Sequence, residues 1–160
     1  MIVEAIRAAR NERVQRALGG VEPAGDVYRW MQIAYPGAFA AMFLEGLLRH
    51  APPPALAAAG IVVFAVGKAI KWWAILALGR CWTFRVIVVP GASLVARGPY
   101  RFLRHPNYLG VIGELVGVAL FTGALVAGPI ATVMFAELIR RRVSVEERAL
   151  RRGSDAGRGV

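Results

Sequence analysis

The chain has one cysteine, Cys81, in 160 residues, which excludes an intrachain disulfide and a zinc cluster built on several thiolates. No metal site is expected. Acidic side chains are also scarce, ten against twenty lysines and arginines. The resulting net charge of +10 comes almost wholly from arginine, gathered at 7–16, 80–104 and 140–158, outside the longest apolar runs. A basic balance of this size raises nucleic-acid binding, but these charges flank apolar spans instead of lining one face of a soluble domain. They suit an anionic cytoplasmic leaflet, and no nucleic-acid partner is expected. Glu4, Arg7, Arg10, Glu12 and Arg13 interrupt the N-terminus, so no secretory h-region opens the chain. Neither an internal repeat nor a Gly-x-Gly-x-x-Gly dinucleotide fingerprint is present, which argues against a nucleotide-dependent reductase.

What the chain does have is apolar length. A 57 % hydrophobic composition is well above that of soluble domains, and 160 residues leave room for one domain. Residues 2–18 read as an amphipathic interfacial helix, followed by a turn-rich linker to 26. Residues 30–48 and 55–79 each supply enough apolar sequence for one membrane span, separated by Pro52-Pro53-Pro54, which cannot continue a helix. Lys68, Lys71, Trp72 and Trp73 fall late in the second span, where lysine snorkels and tryptophan sits at headgroup level. Residues 80–106 read as an ordered basic loop with a short extended piece at 86–89. The apolar run 108–139 contains Gly123 and Gly128-Pro129, so it divides into a hairpin of two short helices. With Glu114 and Glu137, that hairpin points to packing around a polar cavity. Gly110, Gly113 and Gly117 repeat at a spacing that permits close helix packing. The expected fold is all-α and multi-pass, with about four membrane helices, a C-terminal hairpin and a cytoplasmic binding loop. Residues 80–150, the basic loop with the hairpin, are expected to carry the functional site, and 151–160 to form a disordered tail. The N-terminus, the loop 80–106 and the C-terminus all lie on the cytoplasmic side, as the positive-inside rule requires.

A basic, aromatic block runs from Arg97 through Tyr100, Arg104, His105, Pro106 and Asn107 to Tyr108, with Tyr100 five residues before His105. Pro106 suits the first turn of a helix and Asn107 its N-cap. Near the C-terminus Arg142, Glu146, Glu147 and Leu150 stand in the pattern Arg-x-x-x-Glu-Glu-x-x-Leu. Arg142 and Glu146 share one helical face, so a guanidinium able to grip a carboxylate lies beside an acid able to grip an ammonium. Together these motifs resemble the isoprenylcysteine carboxyl methyltransferase family over about residues 70–150. The stretch 82–88 resembles that family's short bacterial branch.

The resemblance implies a membrane-embedded O-methyltransferase of a bacterial cytoplasmic membrane that uses S-adenosylmethionine and acts on the carboxylate of a lipidic or prenylated substrate. It assigns the cofactor to Leu94, Val95, Tyr100, His105, Pro106, Asn107, Tyr108 and Glu146. It assigns the substrate to Arg142 and Arg85, with Arg142 and Glu146 as the catalytic pair. A carboxylate acceptor is anionic at neutral pH and needs no base. The alternative acceptor, a hydroxyl on a long-chain alkyl phenol or pyrone, needs one from Glu147, Glu114 or His105. A non-enzymatic membrane protein, in which the arginines only set topology, is the reading of a different class.

Overall fold

The apolar runs, cut by proline and glycine, form five helices among the described residues. The structure, a computed structural model, describes residues 2–92 and 95–156, with side chains to residue 150. Helices α1 (Ile2–Ala17), α2 (Tyr28–Leu48), α3 (Pro54–Leu78), α4 (Pro106–Thr122) and α5 (Ala127–Ala156) follow in order, with 3₁₀ turns at Gly79–Cys81 and Gly98–Arg101. The expected all-helical class is found. Among the described residues the 86–89 run makes only an isolated antiparallel bridge, Val88 to Val21. Its two N–H···O bonds are 2.9 and 3.0 Å.

Each boundary has a local cause. Pro54 and Pro106 open α3 and α4, where the missing amide has no helical acceptor to serve. Gly123, left-handed at φ +69°, ends α4 by donating to the carbonyls of Ala119 and Leu120. The expected hairpin therefore turns at 123–126, and Gly128-Pro129 falls instead in the first turn of α5, where proline is tolerated. Helix α5 does not stop at 139. It runs through the Arg-Glu segment to Ala156, six residues into the expected disordered tail; residues 157–160 lie outside the described residues. Asn107 is not the N-cap of α4. His105 takes that position, and Asn107 sits one residue inside the helix.

Helix α4 is central, packing on α3, α5 and α2. Its contact with α3 is made backbone to backbone: a Cβ added to Gly67 would lie 2.8 Å from the Gly110 carbonyl, and one on Gly110 would lie 2.7 Å from that of Gly67. Met42, Leu115, Val118 and Phe135 then fill the space between α2, α4 and α5. Helix α2 and the stretch Pro54–Cys81 are long and apolar enough to cross a membrane. Their outer faces leave Ile33, Leu47 and Val62 largely exposed, as does α5 at Val133. Such a belt fits hydrocarbon surroundings.

Helix α1 packs by its polar face. Glu4, Ala8, Asn11 and Gln15 are buried, while Ile2, Val3 and Ile6 point outward. Asn11 Nδ2 donates to the carbonyls of Gly79 and Trp82 at 2.9 and 2.7 Å, and Gln15 Nε2 donates to that of Arg80 at 2.9 Å. The carbonyls of the 3₁₀ turn that follows α3, and that of Trp82 after it, are satisfied in this way.

Gly67→Ala and Gly37→Ala make the same change at positions of opposite character, since nothing lies within 4 Å of a Cβ at Gly37. Gly67→Ala should destabilise by about 1–3 kcal/mol through overpacking. Gly37→Ala should stabilise by up to about 1 kcal/mol through helix propensity. Thermal unfolding in detergent micelles checks the pair. Equal shifts would refute the close contact of α3 and α4.

Candidate functional site

A cavity of about 1020 Å³ opens between α1, α2, α4, α5 and the loop 82–88. Most of the sequence-predicted residues face it. Val95, Tyr100, His105, Asn107 and Tyr108 line it, and Arg142 and Glu146 of α5 join them beside Tyr108 and His105. Pro106 is buried beneath the first turn of α4 instead. Leu94 lies outside the described residues. Arg85 reaches the cavity but is paired with Glu22 at 2.9 Å and Glu12 at 3.4 Å.

Around Glu146 the contacts are loose. His105 Nδ1 lies 4.0 Å from its carboxylate, His105 Nε2 lies 3.9 Å from that of Glu147, and the His105 ring stacks on Tyr108 at 5.7 Å. The Glu146 side chain is 32 % exposed, turned toward the cavity. Burial still pushes its carboxyl above the ordinary range, against the pull of His105 and Arg142. Burial likewise raises the Tyr100 hydroxyl, which stays protonated as a donor. Asn107 Oδ1 is buried with no hydrogen-bond partner. A buried acceptor left without a donor costs about 1–3 kcal/mol, so a ligand N–H or O–H there is favoured.

Arg142 is held differently. Its Nη1 bonds Asp26 Oδ1 at 2.9 Å, its Nε donates to the Tyr108 hydroxyl at 2.8 Å, and Nη2 donates to the Phe84 carbonyl. Asp26 and Arg142 are 4 % and 7 % exposed in their side chains. Asp26 also accepts from the amides of Tyr28 at 3.1 Å and Val86 at 2.9 Å. The expected substrate-gripping arginine thus already holds a carboxylate, one supplied by the linker after α1. Asp26 went unnoticed because a single acid in a turn-rich stretch carries no pattern.

A second charged cluster lies further along the cavity. Lys71 Nζ is 2.9 Å from Glu114 and 3.1 Å from Glu4, with Lys68 3.1 Å from Glu114 and 4.0 Å from Glu4. The Tyr35 hydroxyl donates to Glu114. Lys71 therefore does not snorkel to an interface: it is 4 % exposed and turned inward, because Glu114 waits on the neighbouring helix. Of the two acids expected around a polar cavity, Glu114 is wholly buried against Lys68 and Lys71 and does not itself line the cavity, and Glu137 faces out and pairs with Arg140 and Arg141.

The isoprenylcysteine carboxyl methyltransferase (ICMT) family model matches residues 58–152, more than half of the chain. The chain belongs to this family. The Bacillus subtilis (strain 168) protein YpbQ is 29 % identical over 143 residues, covering 89 % of this chain and 85 % of its own. A rice protein (Oryza sativa subsp. indica) named a probable protein-S-isoprenylcysteine O-methyltransferase is 32 % identical over 98 residues, 58 % of this chain and 49 % of its own. Arabidopsis thaliana protein-S-isoprenylcysteine O-methyltransferase A is 32 % identical over 94 residues, 55 % and 46 % of the two chains. The matches span about half of each plant protein. The ICMT region contains every motif residue of the cavity, while Glu4, Asp26 and Tyr35 precede it.

Removing the Asp26 carboxylate strands a buried guanidinium. Asp26→Ala should lower stability by about 3 kcal/mol, and adding Arg142→Met should recover at least half of that loss. Unfolding of the single and double variants in detergent measures the coupling. Strictly additive losses would show that the two residues do not act as a pair.

Proposed function

We propose that this ICMT-family chain is an S-adenosylmethionine-dependent O-methyltransferase that acts on the carboxylate of a lipidic substrate at a bacterial cytoplasmic membrane. The observation that carries the reading is the convergence of Glu146, His105 and the partnerless Asn107 Oδ1 in one aromatic-lined cavity. These residues fit the cofactor's chemistry. Glu146 receives the ammonium, His105 donates to the carboxylate, and Asn107 Oδ1 accepts from the adenine amino group. Tyr100 and Tyr108 offer ring faces for the adenine and sulfonium regions, with Leu94 and Val95 supplying backbone contacts. When bound, S-adenosylmethionine supplies an electrophilic sulfonium methyl.

The chain's own contribution is orientation and shelter from water. Met31, Val111 and Phe135 make part of the wall apolar, which suits a prenyl or alkyl tail. A carboxylate oxygen is already ionised, so the transfer needs no base. Helices α2 to α4 and the apolar half of α5 span the membrane in this reading, with the loop 80–106 and both termini cytoplasmic. Its partners are the lipidic substrate and the surrounding lipids.

One observation favours the hydroxyl acceptor as a second reading. Arg142, the residue expected to hold an acceptor carboxylate, is neutralised by Asp26. Glu114 is held by two lysines and Tyr35, which leaves His105 and Glu147 as the candidate bases for a hydroxyl.

Calorimetric titration of the detergent-purified protein with S-adenosylmethionine tests the core of the proposal. Binding should weaken at least about tenfold in Glu146→Ala and in His105→Ala. No binding by a folded wild type would overturn it. The pH profile adds a sign. A carboxyl raised above its ordinary range takes up its proton at a higher pH than a solvated glutamate does, so affinity should fall early on acidification. Glu146→Gln should lack that limb.

A further inference from the structure

Arg142 and Lys71 are the two deeply buried cations facing the cavity among the described residues, and they differ in what holds them. Arg142 is fastened by Asp26, the Tyr108 hydroxyl and the Phe84 carbonyl, and Asp26 is itself pinned by two backbone amides. Displacing Asp26 would therefore break the linker and the loop 82–88 as well as one ion pair. Lys71 has no such constraint on its cavity side. Its partner Glu114 is wholly buried and is also held by Lys68 and Tyr35, so Glu114 stays. Its other partner, Glu4, lines the cavity from the first turn of α1 and has no bond beyond the two lysines among the described residues.

Position points the same way. Asn107, Val111 and Glu114 recur at helical spacing on one face of α4, and Asn107 and Val111 both line the cavity. Seven residues of helix place the Lys71–Glu114 pair about 10 Å from the Asn107 end. Between them Val111, Met31, Tyr35 and Phe135 give the cavity an apolar wall.

We propose that Lys71 receives the acceptor's carboxylate, and that Glu4 is a displaceable stand-in for that carboxylate on the same ammonium. The inference rests on the methyltransferase reading and sharpens it by moving the acceptor anchor from α5 to α3. An entering carboxylate takes over Glu4's contact with Lys71, and Glu4 keeps Lys68, already 4.0 Å away, as its partner. The charge balance around Lys71 is kept throughout. Glu4 therefore competes with the acceptor, and its removal strengthens acceptor binding, the reverse of what a purely structural ion pair predicts.

The test uses S-farnesyl-N-acetylcysteine and its methyl ester, which differ only in the free carboxylate, titrated calorimetrically into the full-length protein in detergent without cofactor. Wild type should bind the acid about tenfold more tightly than the ester, the worth of one charge-assisted contact. Lys71→Met should reduce that preference to within about twofold, and Glu4→Gln should raise the acid's affinity while leaving the ester's unchanged. Affinity for S-adenosylmethionine, measured on the same samples, should stay at the wild-type value in both variants. Retention of the acid preference in Lys71→Met, weaker acid binding in Glu4→Gln, or failure of wild type to prefer the acid would each overturn the proposal. Loss of the acid preference in Arg142→Met but not in Lys71→Met would return the anchor to α5. Where wild type binds the cofactor normally, those results refute the Lys71 anchor alone. Absence of cofactor binding by wild type refutes the methyltransferase reading beneath it.

Discussion

The backbone contact between α3 and α4 sets the position of everything around it. Glycines at 67 and 110 let the two helices meet with no side chain between them, and a Cβ on Gly110 would press against the amide and Cβ of Lys71 at 2.9 and 2.8 Å. Lys71 therefore starts beside the first turn of α4, close to the residues that carry His105, Asn107 and Tyr108. One turn further on, Glu114 meets the lysine head. A bulkier residue at either glycine would separate the two helices and move Lys71 away from Asn107 along the cavity wall. In lipid, where no hydrophobic effect drives helices together, close packing through small residues is the available source of attraction.

Buried charge is the second constraint, and it explains why segments far apart in sequence converge. A charge removed from water must be paired, so Arg142 on α5 recruits Asp26 from the linker, and Lys71 on α3 recruits Glu114 and Glu4. The first pair ties the loop 82–88 to α5 through the amide of Val86 and the carbonyl of Phe84. The second ties α1 to the helices that carry the apolar core. Both pairs border the cavity. The same interactions that hold the chain together thus fix where its cations point.

The sequence was most informative where chemistry is written locally. Proline at 54 and 106, glycine at 123 and the apolar runs between them place α2, α3 and α4 within a residue or two, because helix ends obey local rules. The Tyr100–Tyr108 block and Arg142–Glu146 are brought to one cavity as their motif pattern implies. Three things were not legible. Gly128-Pro129 looks like a break by composition, but only its distance from the end of α4 reveals that it begins a helix. Lys71 looks like a snorkelling lysine until the register of α3 on α4 is known. Asp26 and Glu4 carry no motif, and their partners lie 116 and 67 residues away in sequence. Long-range pairing is invisible to spacing rules, and it decides which arginine or lysine is free.

Helix α1 shows how these constraints bear on access to the cavity. An amphipathic helix on a soluble protein turns its apolar face inward, whereas α1 buries Glu4, Asn11 and Gln15 and leaves Ile2, Val3 and Ile6 outside. Its outward face therefore combines Ile2, Val3 and Ile6 with the exposed Arg10 and Arg13, a mixture that suits a membrane interface. The helix is fastened at its C-terminal half by Asn11 and Gln15, which hold the carbonyls of Gly79, Arg80 and Trp82 just after α3. Its N-terminal turn is fastened by Glu4 alone among the described residues. Ile2 and Ala5 border the cavity beside Glu4, so this turn forms part of the wall between the cavity and the apolar surroundings. On the proposed reading, a lipid tail entering from the hydrocarbon side meets the turn of α1 that Glu4 holds to Lys71 and Lys68.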